Sequence, residues 1–241
     1  MPNRSTDPQE WIDGFLFVGN HLALDFLNTR PVLAEGPKEL LPDVDGLVRW
    51  LVASGVLTPQ KGKDVARKWS KMPQAATFLR ELLKFRERLR ATVVRQEAGF
   101  SVSTAFIAEL NSLLKQHPSV IALQRKGKRL EREAASEPEK LSDIWVPIAS
   151  AVAELLSNAV KGRLRKCEAC IVHFLDTSKK GSRRWCSMNI CGNKIKVAAY
   201  QQRQRAARKS RLKKRSRMTV PKTRRRRPPY GGRAVCTPSQ T

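Results

Sequence analysis

The chain has 241 residues, of which 41% are hydrophobic, so its length allows one large domain or two small ones with a buried core. Its 47 Lys and Arg residues against 21 Asp and Glu residues give a formal net charge of +26. The first ten residues are polar, and the most apolar stretch, 144–156, contains a proline and a glutamate. We therefore expect no secretory signal, no membrane span, and a cytoplasmic protein in which clustered cysteines bind metal rather than form disulfides.

The positive charge is concentrated in the C-terminal third. Between Lys161 and Arg227 there are 24 basic residues and two acidic ones, Glu168 and Asp176, which is a net charge of +22. The remainder has 23 basic and 19 acidic residues, a net charge of +4. Because a local positive field attracts polyanions, this distribution predicts nucleic acid as a partner; an anionic membrane surface is the competing interpretation.

Apolar residues at helical spacing predict one mostly helical domain over residues 14–160. Asp43, Thr58 and Ser103 each precede such a segment, and we expect each of them to cap a helix. In chain order we predict a strand at 15–19, helices carrying apolar residues at 22–27 and 44–51, a helix at 59–69, helices carrying apolar residues at 78–93 and 106–114, a small β-hairpin of 119–124 with 128–133, and a helix with apolar residues at 144–156.

The helices at 44–51 and 59–69 are joined by a turn that contains Gly55, and the second of them is basic. This arrangement fits a helix-turn-helix as well as ordinary packing of two short helices. Since such pairs are common in helical domains, we favour packing.

Residues 206–241 are rich in Arg and Lys and then in Pro. Dense like charge repels itself and cannot be buried, so we predict a disordered basic tail, in which Cys236 is a free thiol. The alternative for its first part is a helix from Arg203 to Arg217 that forms on a nucleic acid duplex.

Four of the five cysteines follow the pattern Cys167-x2-Cys170-x15-Cys186-x4-Cys191. A two-residue gap folds into a knuckle that aims two sulfurs at one point, and a second pair completes the tetrahedron that zinc prefers. The pattern predicts one structural Zn²⁺; four free thiols are the alternative. His173 is a further candidate ligand, although a packed or hydrogen-bonded histidine is the more ordinary interpretation.

The segment between the two cysteine pairs suits a hairpin in which 171–175 returns through 184–185, with a turn braced by Asp176 and Ser178. The basic segment from Lys194 to Arg205 has helical propensity. Together these features predict a treble-clef-like finger over residues 161–205, with a core separate from that of the helical domain.

Two stretches carry a family resemblance. Phe174-x-Asp176-x-Ser178-Lys-x-Gly181-x-Arg183-Arg-Trp-Cys-Ser-Met188-x-x-Cys191-Gly-Asn-Lys194-x-Lys196 closely resembles the CGNR zinc finger. Upstream, Gly19-Asn20-His-Leu-Ala-Leu-Asp-Phe-Leu-Asn28-Thr29 resembles the opening of the ABATE domain, which precedes this finger in bacterial stress-induced transcription regulators. The two resemblances cover about residues 14–205.

The resemblance implies a fold that is mainly α: a multihelical N-terminal domain with a small β-hairpin, then a treble-clef-like zinc finger, and outside the resemblance the disordered basic tail. It also implies DNA binding. One residue departs from the family pattern, because Lys194 stands where the CGNR tetrapeptide has arginine. Lysine keeps the charge but lacks the planar fork for a bidentate contact with phosphate or guanine.

We expect the finger and tail to contact double-stranded DNA as a transcription regulator associated with the nucleoid. The candidate contacts are Arg183, Arg184, Lys194, Lys196, Arg203 and Arg205. RNA or ribosome binding is the alternative, but the finger region offers few aromatic side chains for stacking on unpaired bases. The helical domain would bind a small-molecule ligand or mediate self-association.

An enzyme is a third hypothesis, which we do not favour. The sequence has no Gly-rich phosphate loop and no His-Glu-x-x-His motif, and a four-cysteine zinc site is closed to substrate. We therefore assign no catalytic residue.

Overall fold

The computed structural model describes residues 10–33, 36–127, 129–134, 137–158 and 162–218. Within these ranges it has seven α-helices: α1 Leu22–Leu27, α2 Val44–Ala53, α3 Pro59–Trp69, α4 Ala75–Glu97, α5 Thr104–Gln116, α6 Trp145–Asn158 and α7 Asn193–Met218. The strands form antiparallel pairs of two: β1 Trp11–Ile12 with β2 Phe15–Leu16, β3 Val32–Leu33 with β4 Gly36–Pro37, β5 Ile121–Lys126 with β6 Arg129–Ala134, and β7 Leu164–Lys166 with β8 His173–Leu175. The predicted mainly α fold is confirmed.

Side-chain caps fix three of the predicted helix starts. Asp43 accepts a hydrogen bond from the backbone N–H of Gly46 at 2.7 Å, and Ser103 accepts one from Phe106 at 3.2 Å. Thr58 accepts one from Lys61 at 3.3 Å, and Pro59 occupies the first helical position. Each cap satisfies a backbone donor that the first helical turn leaves without a partner, so the three capping predictions are confirmed.

The main core lies where α1 packs against α4 and α6. Its largest buried side chains include Phe26, Trp50 and Phe85. Arg86 is also buried in this layer, and its guanidinium forms two hydrogen bonds, of 2.8 and 2.6 Å, with the carboxylate of Glu39. This pairing offsets the desolvation of a buried charge.

The pair α2–α3 is held by close packing. Val65 and Trp69 of α3 are buried. A Cβ added at Gly62 would lie 2.4 Å from Cγ2 of Val52, so only glycine allows the two helices this approach. These contacts support the packing interpretation of the pair.

The described chain divides after Ile195 into two units. The helical segment and the cysteine segment lie in the first unit, whereas the predicted domain boundaries at residues 160 and 205 stay predictions. Residues 206–218 of the predicted basic tail are helical, as part of α7. Residues 219–241, which include Cys236, lie outside the described residues. No helix in the described ranges is both long and apolar enough to cross a membrane.

Candidate metal centre

The four cysteines of the motif meet at one point. The Sγ atoms of Cys167, Cys170, Cys186 and Cys191 all lie within 4.8 Å of one another. Two of the Sγ–Sγ distances are 3.7 Å, for Cys170–Cys186, and 3.6 Å, for Cys186–Cys191. A tetrahedral zinc ion with Zn–S bonds of about 2.3 Å requires sulfurs about 3.8 Å apart. The donor set therefore fits zinc in both chemistry and size.

A short hairpin positions the first cysteine pair. β7 and β8 pair in the register Leu164↔Leu175 to Lys166↔His173, and the N–H of Cys167 donates to the carbonyl of Val172 at 2.9 Å. The knuckle between Cys167 and Cys170 is thus the turn of this hairpin. The predicted pairing of 171–175 with 184–185 is wrong. A three-residue strand that precedes the first cysteine carries too little pattern to be recognised.

Asp176 organises the segment after β8 as a loop instead of a strand. Its carboxylate accepts hydrogen bonds from the N–H groups of Ser178 and Arg183, each at 2.9 Å. The bond to Ser178 confirms the predicted bracing of the turn. The loop returns to the knuckle where the N–H of Glu168 donates to the carbonyl of Arg184 at 3.1 Å.

A tight turn of residues 188–192 positions the second cysteine pair. Ser187 caps this turn by accepting from the N–H groups of Asn189 at 3.0 Å and Ile190 at 3.1 Å. The N–H of Cys191 donates to the carbonyl of Ser187 at 3.1 Å, and α7 begins two residues later. The predicted helix after Cys191 is confirmed.

The four thiols influence one another strongly. A hydrogen bond from Cys186 lowers the pKa of Cys170 to about 5. The hydrogen bond to Cys170, together with burial, raises the pKa of Cys186, and burial raises the pKa of Cys191 to about 12. Four thiolates this close cannot form together without a cation among them, and a divalent metal ion supplies that charge.

The finger has its own small core, to which the N-terminal segment contributes. Phe174 and Val172 pack with three of the cysteines, and Leu16 and Val18 complete the cluster. Conversely, the finger hairpin contributes Leu164 and Leu175 to the main core of the helical domain. The finger cluster and the main core are separate, as expected, but each of them includes apolar side chains from the other region.

Side chains and backbone of the helical domain hold both strands of the finger hairpin. Asn28 donates to the carbonyl of His173 at 2.8 Å and accepts from its N–H at 3.1 Å, which imitates a neighbouring strand. Further along β8, Leu175 donates its N–H to the carbonyl of Gly19 at 2.9 Å. On β7, the N–H of Lys166 donates to the carboxylate of Glu97 at 2.6 Å.

Two known protein families match this chain. Residues 20–159 match ABATE, described as a "putative stress-induced transcription regulator", and residues 163–204 match the CGNR zinc finger. The chain belongs to the ABATE family. Both resemblances seen in the sequence are confirmed, and the four clustered cysteines of the CGNR finger fit one structural Zn²⁺. Comparison with curated proteins gives no match.

The ABATE opening motif has a structural role in this fold. Asn28 is the amide that pairs with β8, and Asn20 donates to the carbonyl of Leu175 at 2.9 Å. Asp25, between them, accepts from the N–H of Gly19 at 2.9 Å. The motif that opens the ABATE domain is therefore also where the CGNR finger attaches, a connection that a pattern read along the chain does not reveal.

The CGNR tetrapeptide is Cys191-Gly192-Asn193-Lys194 in this chain. A Cβ at Gly192 would lie 2.6 Å from Sδ of Met188 and 3.3 Å from a ring carbon of Trp185, so any larger residue would have to displace the flexible Met188 side chain. Lys194, which replaces the family arginine, is exposed in the first turn of α7.

His173 packs away from the cysteines. It is buried, and its Nε2 lies 3.4 Å from a carboxylate oxygen of Glu97. Among the described residues, the group that could hold a metal consists of the four cysteines alone. The interpretation of His173 as a packed histidine therefore fits the structure.

The predicted nucleic-acid residues fall into two groups. Arg183 is half-buried: its guanidinium lies 4.5 Å from the ring centre of Phe174 and donates to the carbonyls of Trp185, at 2.9 Å, and Cys186. Arg184 is exposed and pairs with Glu168 at 2.6 Å. The other group is exposed on α7 and consists of Lys194, Lys196, Arg203 and Arg205.

Proposed function

We propose that the protein is a zinc-dependent DNA-binding transcription regulator in which the finger and α7 contact duplex DNA. One observation carries the proposal. Helix α7, which starts directly after the cysteine motif, has 11 basic residues and no acidic residue among its 26 residues.

This helix is built for a polyanion rather than for a protein core. At 1.5 Å per residue it is about 39 Å long, which is slightly more than one turn of duplex DNA. Between Lys196 and Arg211 every side chain is exposed except Ala199, which is intermediate. Since α7 buries no apolar face there, a partner that neutralises its charge is the natural source of its stability.

Zinc has a structural role in this proposal. Cys167, Cys170, Cys186 and Cys191 would hold the ion as thiolates, leaving no position for substrate. The ion then fixes the knuckle and the turn of residues 188–192 that directly precedes α7. Arg183 lies beside the thiolates and offsets part of their negative charge.

We assign the DNA contacts to Lys194, Lys196, Arg203 and Arg205, whose side chains are exposed. Exposed basic side chains release counterions when they meet phosphates, which provides affinity for any sequence. Arg183 is assigned to the finger's own structure, because its guanidinium is occupied by carbonyls and by the ring of Phe174.

Duplex DNA is favoured over RNA by the aromatic side chains. Phe174 is fully buried, and Trp185 is partly buried with the guanidinium of Arg184 5.2 Å from its ring centre. Of the three aromatic residues in the finger region, only Tyr200 is exposed. Sequence-specific recognition of single-stranded RNA depends on such exposed rings.

The helical domain would then sense a ligand or mediate self-association, and the protein would be cytoplasmic and bound to the nucleoid. Nucleic acid crosslinked to the protein in cells and then sequenced tests this assignment. A discrete set of promoter fragments supports a regulator, whereas a majority of ribosomal or transfer RNA contradicts it.

The DNA-binding step has a direct test in the zinc-loaded full chain. The α7 variant carries Arg203→Gln, Arg205→Gln, Arg208→Gln and Lys209→Gln. The body control removes four exposed lysine charges elsewhere, through Lys38→Gln, Lys63→Gln, Lys71→Gln and Lys115→Gln. Fluorescence anisotropy with random duplexes at several salt concentrations measures both affinity and salt dependence.

We expect the α7 variant to bind at least tenfold more weakly than the body control at matched salt. Its slope of log K against log salt should be shallower by about 0.9 for each phosphate that the variant no longer neutralises. No measurable duplex binding by the wild type, or equal binding by the two variants, would show that α7 is not a DNA-contacting helix.

A further inference from the structure

The hairpin β5–β6, here called the arm, contributes none of its described side chains to a hydrophobic core. In residues 119–131, every side chain that the structure describes is exposed or intermediate. The two strands pair with each other in the register Ile121↔Ala134 to Lys126↔Arg129, and they form a sheet of two strands. A two-stranded hairpin with no fully buried side chain among those that the structure describes is marginally stable in water, so the arm is best explained by something that it contacts.

The tip of this arm is strongly basic. Its sequence is Arg125-Lys126-Gly127-Lys128-Arg129, in which four of the five residues are basic. Gly127 has φ of 62°, which closes the turn in the left-handed region that favours glycine. Arg125 and Arg129 are exposed. The positive field of a cluster of this kind at the end of a ribbon attracts polyanions, such as the phosphate backbone of nucleic acid.

Apolar side chains lie directly behind the basic tip. Leu123 is 68% exposed, Leu130 is 62% exposed and Ile121 is 50% exposed. Ile121, Leu123 and Arg125 are spaced two residues apart along β5, so their side chains lie on the same face of the ribbon. Leu130 lies directly opposite Arg125 on β6 and shares this face. Large apolar side chains are seldom grouped on an exposed surface without a binding partner.

We propose that the β5–β6 arm is a second DNA-contacting element, which enters a groove of the duplex through its basic tip. Leu123, Leu130 and Arg125 share one face, which would face base edges and sugars in the groove, and Arg129 on the other face would contact a phosphate at the groove's edge. A two-stranded ribbon fits a DNA groove, and exposed leucines can wedge against base steps. With six residues in each strand the ribbon is about 20 Å long.

This inference rests on the proposed function, because it assigns a further contact with duplex DNA. It also adds to that function, since the arm belongs to the ABATE region of the chain and not to the zinc finger. The helical domain would then contribute to DNA binding directly, in addition to sensing or self-association.

Two variants of the zinc-loaded full chain test the arm. The tip variant carries Arg125→Gln, Lys126→Gln, Lys128→Gln and Arg129→Gln, and the apolar variant carries Leu123→Ser and Leu130→Ser. The body control defined above removes the same number of charges as the tip variant. Thermal melting checks that each variant remains folded, which we expect because none of the arm's described side chains belongs to the main core.

The tip variant should bind random duplexes at least fivefold more weakly than the body control and have a shallower salt slope. The apolar variant should also bind more weakly, but with the salt slope unchanged, because it removes no charge. If the wild type binds duplex DNA while both arm variants match the body control, the arm proposal is overturned and the proposed function stands. If the wild type does not bind, both fail.

Two other outcomes would also overturn the arm proposal. One is a loss of self-association by the arm variants, measured by light scattering after gel filtration, with DNA affinity equal to that of the body control. This result would make the arm a contact with a second copy of the chain. The other is a loss of binding to folded RNA but not to duplex DNA.

Discussion

The helical body and the zinc finger fold by different means. The body surrounds a continuous apolar core to which all of α1–α6 contribute, and its largest side chains are fully buried. The finger's cluster has seven buried residues, of which three are cysteines and two, Leu16 and Val18, come from outside the finger. Apolar burial alone cannot stabilise a fold with so small a core. The finger therefore depends on bound metal and on contacts with the helical body.

The attachment between these two regions is polar as well as apolar. Asn28 and the carbonyl of Gly19 hold β8, while Glu97 holds β7. These partners satisfy backbone groups of the short hairpin that would otherwise be left without partners inside the protein. We therefore expect zinc binding by the finger and the stability of the body to be coupled, and a coupling free energy acts equally in both directions.

The largest effect should follow from Cys186→Ser. Cys186 is fully buried and lies within 3.7 Å of two other sulfurs, so its loss removes the metal. Structural zinc contributes on the order of 10 kcal/mol of apparent binding free energy, and the finger should unfold without it. The body should stay folded but melt several degrees lower, because Leu16 and Val18 lose the finger side chains that bury them.

Elemental analysis and a melt followed by tryptophan fluorescence measure both effects. Cys236→Ser is the matched control, since it removes a cysteine outside the motif. An unchanged melting temperature of the body in metal-free Cys186→Ser would show that the two regions are independent.

Phe85→Ala should damage the body and spare the metal. Phe85 is fully buried and contacts the rings of Phe106 and Trp145 at 5.7 and 5.3 Å between centres. Removing such a side chain costs about 3–5 kcal/mol of the free energy of unfolding. Chemical denaturation measures the loss, and the zinc content below the transition should remain one ion per chain. Phe100→Ala, at an exposed phenylalanine, should cost less than about 0.5 kcal/mol.

Asn28→Asp tests the coupling itself. The carboxylate has the shape of the amide but cannot donate to the carbonyl of His173, so a buried acceptor is left unsatisfied. The change should cost about 1–3 kcal/mol. Part of this loss should appear as weaker zinc binding, measured by competition with a chromogenic chelator, although Asn28 is not a ligand.

Two further variants sharpen this test. Asn20→Gly removes a second amide that binds β8, at a position with φ of 57° where glycine is not strained, and should have a smaller effect in the same direction. Asn111→Asp, at an exposed position of α5, should have none. A zinc affinity in Asn28→Asp equal to that of the wild type would contradict the coupling.

The sequence predicted local features well and long-range partners poorly. Asp43, Thr58 and Ser103 were recognisable as caps because a cap depends on residues within four positions of it. The zinc ligands were recognisable because soft donors at fixed spacing have few other uses in a reducing compartment. By contrast, the hydrogen bonds between Asn28 and His173 join residues 145 positions apart, and nothing in local spacing encodes them.

The basic residues show the same limit. Arg183 and Arg184 are adjacent and chemically identical, and the sequence assigned both to DNA. The structure separates them, because the loop organised by Asp176 directs one guanidinium towards the ring of Phe174 and the other towards Glu168. Charge counts predict a polyanionic partner for the C-terminal third, but they do not reveal which of its cations remain available to bind one.

That separation gives the smallest and most discriminating prediction. Arg183→Ala removes a guanidinium that binds two backbone carbonyls of the second cysteine pair and covers Phe174, so we expect a lower melting temperature and faster zinc loss to a chelator. Arg184→Ala removes an exposed side chain paired with Glu168, and exposed pairs contribute little, so folding and zinc retention should not change.

Any weakening of DNA binding by Arg184→Ala should then be a direct effect of the missing charge, whereas that by Arg183→Ala should follow the fraction of chains without zinc. Anisotropy titrations with and without excess zinc distinguish these cases. Restoration of DNA affinity by zinc in Arg183→Ala supports a structural arginine, whereas a fully zinc-loaded Arg183→Ala that still binds poorly would return Arg183 to the DNA interface.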